Sequence, residues 1–381
     1  MEEETKCYFC INCAKDYKLK KFILLNTPIE ENCHFCGEEN SQCIDILDKH
    51  DFFNFMRALT RYHYWEDEYN HHFGGFSLHE LLIVENNFIL NNHRFKEDIL
   101  CTDNIICGMQ DYKFDNPKIV ELYFGHDDYG SRLSWGERIK DKKSQEIEKL
   151  ENELLKKNYF LLEKDFLEEL KNYEALFSSY IEKDSKFFRA RIGYKEEYEK
   201  QTLSWNYTDS NGKKGYIPYK NEEIGAPPII YTNQGRLNRS NVSFLYLATD
   251  IPTTIAEVRP HPGHKISIGC FYAKENIKVV DFDKAFIQLS QNEESLEKFI
   301  FLNHIDRLLS MPLTPEERTM YLITQFFSDI FRKLGFDGVM FSSSVGNGQN
   351  VLVYDPDLFQ YIEENSSVYK VEKLEYTIKQ I

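Results

Sequence analysis

The chain has 381 residues, of which 42% are hydrophobic and 15% aromatic, and its formal net charge is −16. The apolar content suffices for a folded core and excludes a wholly disordered chain. The acidic balance disfavours general nucleic-acid binding, because phosphate backbones repel an acidic surface. The sequence contains no apolar run long enough for a membrane span, and its acidic start lacks the features of a secretory signal. We therefore expect a cytoplasmic protein of two or three domains with nine reduced cysteines.

Four cysteines near the N-terminus have the spacing of a zinc site. The pattern C-x2-C-x19-C-x2-C is formed by Cys10, Cys13, Cys33 and Cys36. Each C-x-x-C turn presents two sulfur atoms from one side, and two such turns complete a tetrahedron of thiolates. The pattern predicts a structural zinc knuckle within residues 1–45. Cys7 could replace Cys13 in the first pair, so two ligand sets remain open.

Residues 46–139 are predicted to form a mainly helical module. Within it, Arg57 and His63 have an R-x5-H spacing that resembles the RNase motif of HEPN helical domains. One arginine and one histidine often fall this close together, so a helix with a solvated polar face is the favoured alternative.

Residues 140–185 are predicted to be an amphipathic helical connector, as one long helix or two shorter ones. Apolar residues recur there at helical spacing from Ile147 to Ile181, and Gly and Pro are absent from residues 140–183. Packing within one chain is the usual role of such a stripe. It could also pair two chains in a homo-oligomer.

From residue 186 to residue 381, short apolar runs alternate with Gly and Pro, which predicts a mixed α/β domain. Strands are predicted over 187–193, 242–248, 266–273 and 278–284. A helix capped by Thr249 or Asp250 is predicted to follow the second strand, with Glu257 about one turn into it and away from its apolar face. A second helix is predicted over 319–336. The loop SSSVGNGQN (342–350) could hold a phosphate through its hydroxyl and backbone N–H groups.

Three segments in this order resemble the RES domain, a family named for an Arg, a Glu and a Ser. The segments are FFRAR, then GRLNRSN…LYLATDIPTTIAEVR, then DGVMFSSS…GQNVLVYD, within residues 186–360. The resemblance implies a compact, ADP-ribosyltransferase-like α/β fold and NAD+ as a substrate, destroyed by hydrolysis or phosphorolysis. RES proteins are toxins of toxin–antitoxin pairs or defence effectors, which implies a cognate antitoxin or a sensor protein as partner. The Cys-rich N-terminal half resembles that of longer HEPN/RES proteins.

Carried onto this sequence, the resemblance places the family Arg on Arg189, the Glu on Glu257 and the Ser on Ser343. Arg191 lies on the same strand face as Arg189, and Ser342 stands where the family often has Pro, so neighbouring residues could take either role. The candidates for substrate binding are Arg191, Arg236, Asn238, Tyr246 and Asn350.

These residue types suit cleavage of the nicotinamide–ribose bond. A carboxylate such as Glu257 can stabilise the positive charge that develops on the ribose. A guanidinium fork, Arg189 first and Arg236 second, suits the diphosphate. Ser343 and Asn350 could orient the nicotinamide carboxamide, and Tyr246 could stack or donate a hydrogen bond.

Other functions remain open on the sequence alone. The same fold could transfer ADP-ribose to a protein or a nucleic acid. A zinc-bearing interaction module with an inactive enzyme fold is another alternative. Arg236 and Arg259 could also be ordinary surface ion-pair partners of acids such as Glu257.

Overall fold

The computed structural model describes residues 6–48, 50–65, 68, 76–84, 87–96, 99–110, 138–199, 202–204, 207–209, 214–289, 296–312, 321–346 and 348–375. The chain divides into two compact units. The first comprises Met1–Ile147 and Asp283–His304, and the second comprises Glu148–Phe282 and Ile305–Ile381. Residues 111–137 of the predicted helical module lie outside the described residues.

The strands are β1 (Tyr8–Cys10), β2 (Ile29–Glu31), β3 (Ser41–Asp45), β4 (Ser178–Ile181), β5 (Lys186–Ile192), β6 (Glu196–Glu199), β7 (Thr202–Ser204), β8 (Tyr207–Asp209), β9 (Lys214–Ile217), β10 (Leu245–Ala248), β11 (Lys265–Ala273), β12 (Ile277–Asp281), β13 (Gly338–Ser342), β14 (Gln349–Val353) and β15 (Phe359–Lys370). The α-helices are α1 (Tyr17–Leu25), α2 (His50–His63), α3 (Ile99–Gln110), α4 (Gln145–Leu154), α5 (Phe160–Phe177), α6 (Ile251–Glu257), α7 (Phe282–Leu289), α8 (Leu296–Ser310) and α9 (Tyr321–Lys333). Glu80–Val84 forms a π-helical turn. Among the described helices, none has the length and apolar character needed to cross a membrane.

The first unit combines a small antiparallel sheet, in the order β1-β3-β2, with helices. Asp16 caps α1, because its carboxylate accepts hydrogen bonds from the backbone N–H groups of Lys18 and Leu19. Aromatic rings from β1, α1 and α2 form the apolar centre, with Phe22 stacked on Phe55 at 4.4 Å between ring centroids. Burial of these rings stabilises the unit.

Arg57 and His63 of the R-x5-H pattern are structural residues of α2. Arg57 is 3% exposed, and its guanidinium donates hydrogen bonds to the backbone carbonyls of Gly108 and Met109. His63 is 9% exposed, and its Nε2 lies 2.7 Å from Asp16 Oδ2. Both side chains are therefore buried and bonded, which differs from the solvated polar face favoured by the sequence and gives no support to an RNase site.

The second unit is built on a mixed sheet of eight described strands in the order β15-β11-β5-β10-β14-β13-β12-β4. β12 and β13 run parallel, and the other neighbours are antiparallel. Apolar side chains from alternate positions, including Leu245 and Leu247, form one core cluster. α9 contributes a second set of buried residues, among them Phe326 and Phe331. The mixed α/β character expected from the sequence is present.

Several element boundaries differ from the sequence-based expectation. The strand predicted over 242–248 begins at Leu245, and the helix predicted over 319–336 ends at Lys333, with residues 319 and 320 outside the described residues. The helical stripe from Ile147 resolves into α4 and α5, but Ile181 lies in the edge strand β4. Ser178 and Ser179 are weak helix formers and interrupt the apolar stripe. Tyr180 and Ile181 are typical strand residues. The strand predicted over 278–284 ends at Asp281 and α7 begins at Phe282, although the apolar–polar alternation continues from Val280 to Asp283.

Candidate functional site

The four predicted zinc ligands lie together in the first unit. The Sγ atoms of Cys10, Cys13, Cys33 and Cys36 all lie within 4.8 Å of one another. The Cys10–Cys36 and Cys13–Cys33 sulfur separations are 3.6 and 3.7 Å. A tetrahedral zinc with Zn–S bonds of about 2.3 Å requires sulfur separations of about 3.8 Å. The cluster therefore has the dimensions of a four-thiolate metal site, and Cys13 rather than Cys7 completes it.

The backbone explains how the two cysteine pairs converge. Ile11–Cys13 forms a 3₁₀ turn that brings Cys13 beside Cys10. The second pair ends in a tight turn, in which Gly37 has a φ of +71° and donates its N–H to the Cys33 carbonyl. Hydrogen bonding with Cys10 holds the pKa of the Cys33 thiol well below its usual range and raises the pKa of the Cys13 thiol well above it. The geometry of the two turns, which directs four sulfur atoms to one point, is what suits a metal site.

The second unit contains an open cavity of about 480 Å³. It lies beside the C-terminal half of β10 and the end of α6. Its lining includes Arg189, Arg236, Tyr246, Glu257, Arg259 and Asn350. A volume of this size is within the usual range of small-molecule sites.

Glu257 lies at the C-terminal end of α6. The helix follows β10, and Asp250 caps it by accepting the Thr253 N–H at 2.8 Å. Glu257 is the last of seven helical residues, whereas the sequence placed it about one turn into the helix. The C-terminal end of a helix is unfavourable for a carboxylate, so Glu257 depends on hydrogen-bond donors from elsewhere.

Two of those donors are side chains predicted from the sequence. Ser343 Oγ and Asn350 Nδ2 each donate to Glu257 Oε1 at 2.6 Å. Asn350 is placed by the β14 register, opposite Ala248 of β10 and Phe341 of β13. Both bonds end on the same oxygen, so Oε2 remains available for a ligand. The alternative interpretation, surface ion pairs of Glu257 with Arg236 or Arg259, is not seen, because among the described residues Glu257 forms no ion pair with either arginine.

The loop SSSVGNGQN fixes Ser343 instead of presenting its N–H groups to a phosphate. The N–H groups of Val345 and Gly346 donate to Ser343 Oγ, which directs the hydroxyl hydrogen at Glu257. The N–H of Gly348 donates to the Thr253 hydroxyl at the start of α6. These three N–H groups already have protein acceptors, which favours the ordinary turn that such loops usually form, while Asn347 lies outside the described residues.

Arg189 bridges a gap between two strands. β5 pairs with β10 at a single position, Phe188 opposite Ala248, and the strands then diverge. Arg189 Nη1 donates to the Tyr246 carbonyl at 2.8 Å and so links β5 to β10 beyond that single pair. Burial lowers the pKa of Arg189 to about 10, so the guanidinium is still charged at neutral pH.

Arg236 reaches the cavity from the Gly-Arg-Leu-Asn turn. Its Nη1 donates to the Leu309 carbonyl, and its own carbonyl accepts the Thr324 hydroxyl. Gly235 is required before it, because a Cβ there would lie 2.3 Å from Asn238 Oδ1. Burial also lowers the pKa of Arg236.

Asn238 supports the site from behind. It is 5% exposed, and its amide donates to the Asn233 and Arg239 carbonyls. Its Oδ1 accepts the Tyr246 hydroxyl at 2.9 Å. Burial raises the pKa of that phenol, so Tyr246 acts as a hydrogen-bond donor and not as a base. Asn238 is therefore buried and is linked to the cavity through its hydrogen bond with Tyr246, a residue of the lining.

Arg191, the remaining predicted substrate-binding residue, does not line the cavity. Arg191 is exposed, donates to the Glu223 carbonyl, and lies 4.9 Å from the centroid of the Tyr219 ring. The strand alternation that placed it beside Arg189 is correct for the backbone, but the two long side chains take different directions.

Several cavity residues were not selected from the sequence. Arg259 was considered only as a surface ion-pair partner, although it stands two residues after Glu257. Tyr321 and Phe341 reach the cavity from α9 and β13. No local pattern marks these two, because distant parts of the chain bring them to the cavity.

One family model matches the C-terminal part of the chain. Residues 216–378 match the model of the family described as RES domain. No curated protein and no solved structure matches the chain. The matched residues include Arg236, Glu257 and Ser343, whereas Arg189 lies before them on β5. The C-terminal part of the chain, residues 216–378, is therefore a RES domain.

Proposed function

We propose that this protein cleaves the nicotinamide–ribose bond of NAD+ and so depletes the cofactor, as a toxin or defence effector. The observation that carries the proposal is the Glu257 carboxylate, held on one oxygen by Ser343 and Asn350 beside a cavity with three arginines. The RES match supports the substrate class. The mixed sheet is consistent with an ADP-ribosyltransferase-like fold, which is part of the same proposal.

The proposed reaction breaks one bond and forms one. The C1′–N bond breaks, and its electron pair leaves with neutral nicotinamide. Positive charge develops on the ribose, and the free Oε2 of Glu257 stabilises that charge or holds a ribose hydroxyl. An oxygen of water or of inorganic phosphate then bonds to C1′, and water releases a proton to solvent. Arg189 and Arg236 hold the diphosphate.

Zinc would have a separate, structural role. The four thiolates of Cys10, Cys13, Cys33 and Cys36 would hold it, which leaves no position open for a substrate. We propose that the N-terminal module is where an antitoxin or a sensor protein restrains the activity, since uncontrolled loss of NAD+ would harm the cell that makes the protein.

The test is release of nicotinamide from NAD+ by the full chain, followed by chromatography with and without phosphate. Wild type is expected to release nicotinamide, and Glu257→Gln is expected to lose at least about 100-fold in rate. Glu275→Gln, an exposed carboxylate in the turn between β11 and β12, is the matched control and keeps the wild-type rate.

The products separate the alternatives. ADP-ribose indicates hydrolysis, and ADP-ribose 1″-phosphate indicates phosphorolysis. Label from NAD+ on a protein or nucleic acid would replace the proposal with ADP-ribosyl transfer. A folded wild type that neither releases nicotinamide nor labels a target would contradict enzymatic activity and favour an interaction module.

A further inference from the structure

Arg259 has an unfavourable backbone conformation for its residue type. Its φ is +46°, in the left-handed region, directly after the C-cap residue Val258 of α6. Glycine is the usual residue at this place. Pro260 follows, and the residue before a proline favours extended backbone, which makes the left-handed conformation still less favourable. Strain of this kind, two residues after Glu257, points to a role in the site.

Arg259 also differs from the other cavity arginines in its contacts. Arg189 donates to the Tyr246 carbonyl, and Arg236 donates to the Leu309 carbonyl. Over the part of the chain that the structure describes, the Arg259 guanidinium has no hydrogen-bond or ion-pair partner, and the side chain is exposed at the cavity. Its five N–H donors are therefore available to a ligand.

The charge around the cavity favours an anion. Among the residues that the structure describes, three guanidinium groups and one carboxylate, that of Glu257, line it, within a protein of net charge −16. Arg259 is close enough to Arg236 to contribute, after burial, to the lowered pKa of Arg236. Two cations that repel each other gain when an anion enters between them.

We infer that Arg259 binds a phosphate group in the cavity through its guanidinium fork. The inference rests on the proposed cleavage of NAD+. The planar fork matches the paired oxygens of a phosphate and can bind them in a bidentate manner. The phosphate could belong to the diphosphate of the dinucleotide or be the inorganic phosphate that attacks C1′, and the two sources are separable by experiment.

The experiment compares wild type, Arg259→Gly and Arg259→Lys as full chains. Arg259→Gly removes the guanidinium fork and suits the left-handed backbone, so the melting temperature of this variant should equal or exceed that of wild type. Lysine keeps the charge without the fork. Asp184→Gly, another left-handed residue (φ +64°) in the turn before β5, is the matched backbone control.

Binding of ADP-ribose is measured by calorimetry in phosphate-free buffer. If Arg259 holds the diphosphate, Arg259→Gly raises Kd about 10- to 100-fold and Arg259→Lys raises it less. Asp184→Gly leaves Kd unchanged. Cleavage of nicotinamide riboside, which has no phosphate, should then be equal in Arg259→Gly and wild type.

The second source is tested by titrating inorganic phosphate during nicotinamide release. If Arg259 holds the attacking phosphate, ADP-ribose binding is unchanged, and the phosphate concentration for half-maximal rate rises about 10- to 100-fold in Arg259→Gly. An Arg259→Gly variant that matches wild type in both assays overturns the inference, as does a wild type that binds neither ligand. A wild type that binds ADP-ribose through Arg259 without cleaving NAD+ overturns only the proposed cleavage.

Discussion

The two hydrogen bonds that Glu257 accepts end on one oxygen, and this asymmetry defines the role of Ser343. The hydroxyl of Ser343 is itself oriented by the N–H groups of Val345 and Gly346. It therefore fixes the Oε1 side of the carboxylate and leaves the Oε2 side for substrate. Ser344 lines the cavity beside it, which makes the adjacent serine a direct comparison.

Ser343→Ala is expected to lower the rate of nicotinamide release about 10- to 100-fold. The physical reason is the loss of one charge-assisted hydrogen bond, which contributes about 1.5–3 kcal/mol to fixing the carboxylate. Steady-state kinetics with NAD+ measures the change. Ser344→Ala should stay within about twofold of wild type, and the reverse order of the two variants would show that the family serine is Ser344.

His63 is the second residue whose environment has a measurable consequence. Its Nε2 contacts Asp16, its Nδ1 lies 3.4 Å from Lys140 Nζ, and its ring stacks on Phe88. Burial lowers the pKa of His63, although Asp16 opposes the shift. A neutral imidazole fits these contacts, because Nδ1 can accept from the lysine while Nε2–H donates to the carboxylate.

The protein is therefore expected to lose stability as the pH falls below about 6.5. In that range the unfolded histidine gains a proton that the folded one resists, so protons favour unfolding. Thermal unfolding between pH 8 and pH 5 measures the effect. His63→Gln, which is similar in size and does not titrate, should show a shallower fall in melting temperature. Equal slopes for the two proteins would contradict the assignment.

At the level of elements, α6 and the loop SSSVGNGQN (342–350) together position Glu257 and Ser343. The Thr249 and Thr253 hydroxyls accept the N–H groups of Gln349 and Gly348, so the loop rests on the start of the helix that ends in Glu257. A Cβ on Gly348 would lie 1.9 Å from Asp250 Oδ2. The glycine is thus required by close approach to the helix cap.

Gly348→Ala is expected to destabilise the protein by about 1–2 kcal/mol, because the added methyl group displaces the Asp250 cap. The melting temperature should fall by about 2–4 °C for each kcal/mol. The cost should be less than additive with Asp250→Ala, since that substitution removes the atom that the methyl group meets. Additive losses in this double-mutant cycle would show that the cost of Gly348→Ala does not come from its contact with Asp250.

Elements with strong local signals were predicted closely from the sequence. The strand predicted over 187–193 is β5 (Lys186–Ile192), and α6 is capped by Asp250, one of the two caps expected. The end of the strand at Asp281 was missed, because the alternating pattern of 278–284 runs directly into a helix. Periodicity identifies elements better than it identifies where one passes into the next.

The site was only partly predictable for a related reason. Glu257, Ser343 and Asn350 lie in the segments that resemble the RES domain, so they could be selected from the sequence. In the structure, Ser343 Oγ and Asn350 Nδ2 each lie 2.6 Å from Glu257 Oε1. Tyr321 carries no such signal, and its place in the cavity depends on how α9 packs in the second unit. The direction of Arg191 likewise depends on a tertiary contact, the Glu223 carbonyl.

For the whole molecule, the four-cysteine cluster and the cavity belong to different units. The four cysteines lie in Met1–Ile147, and the cavity residues lie in Glu148–Phe282 and Ile305–Ile381. A closed thiolate site contributes directly to folding of the part that contains it. Loss of a metal held by these four cysteines should therefore affect stability before it affects chemistry.

Cys33→Ser is expected to abolish binding of one zinc per chain and to lower the first thermal transition, while nicotinamide release below that transition stays within about twofold of wild type. The serine hydroxyl is a poor substitute for a thiolate, so three ligands would remain. Elemental analysis gives the zinc content, and calorimetry gives the transition. Cys107→Ser, an exposed cysteine outside the cluster, is the control and should keep the metal. A Cys33→Ser protein that retains full zinc would show that the metal is bound elsewhere. Loss of NAD+ cleavage in a folded Cys33→Ser sample would show that the first unit contributes to the active state.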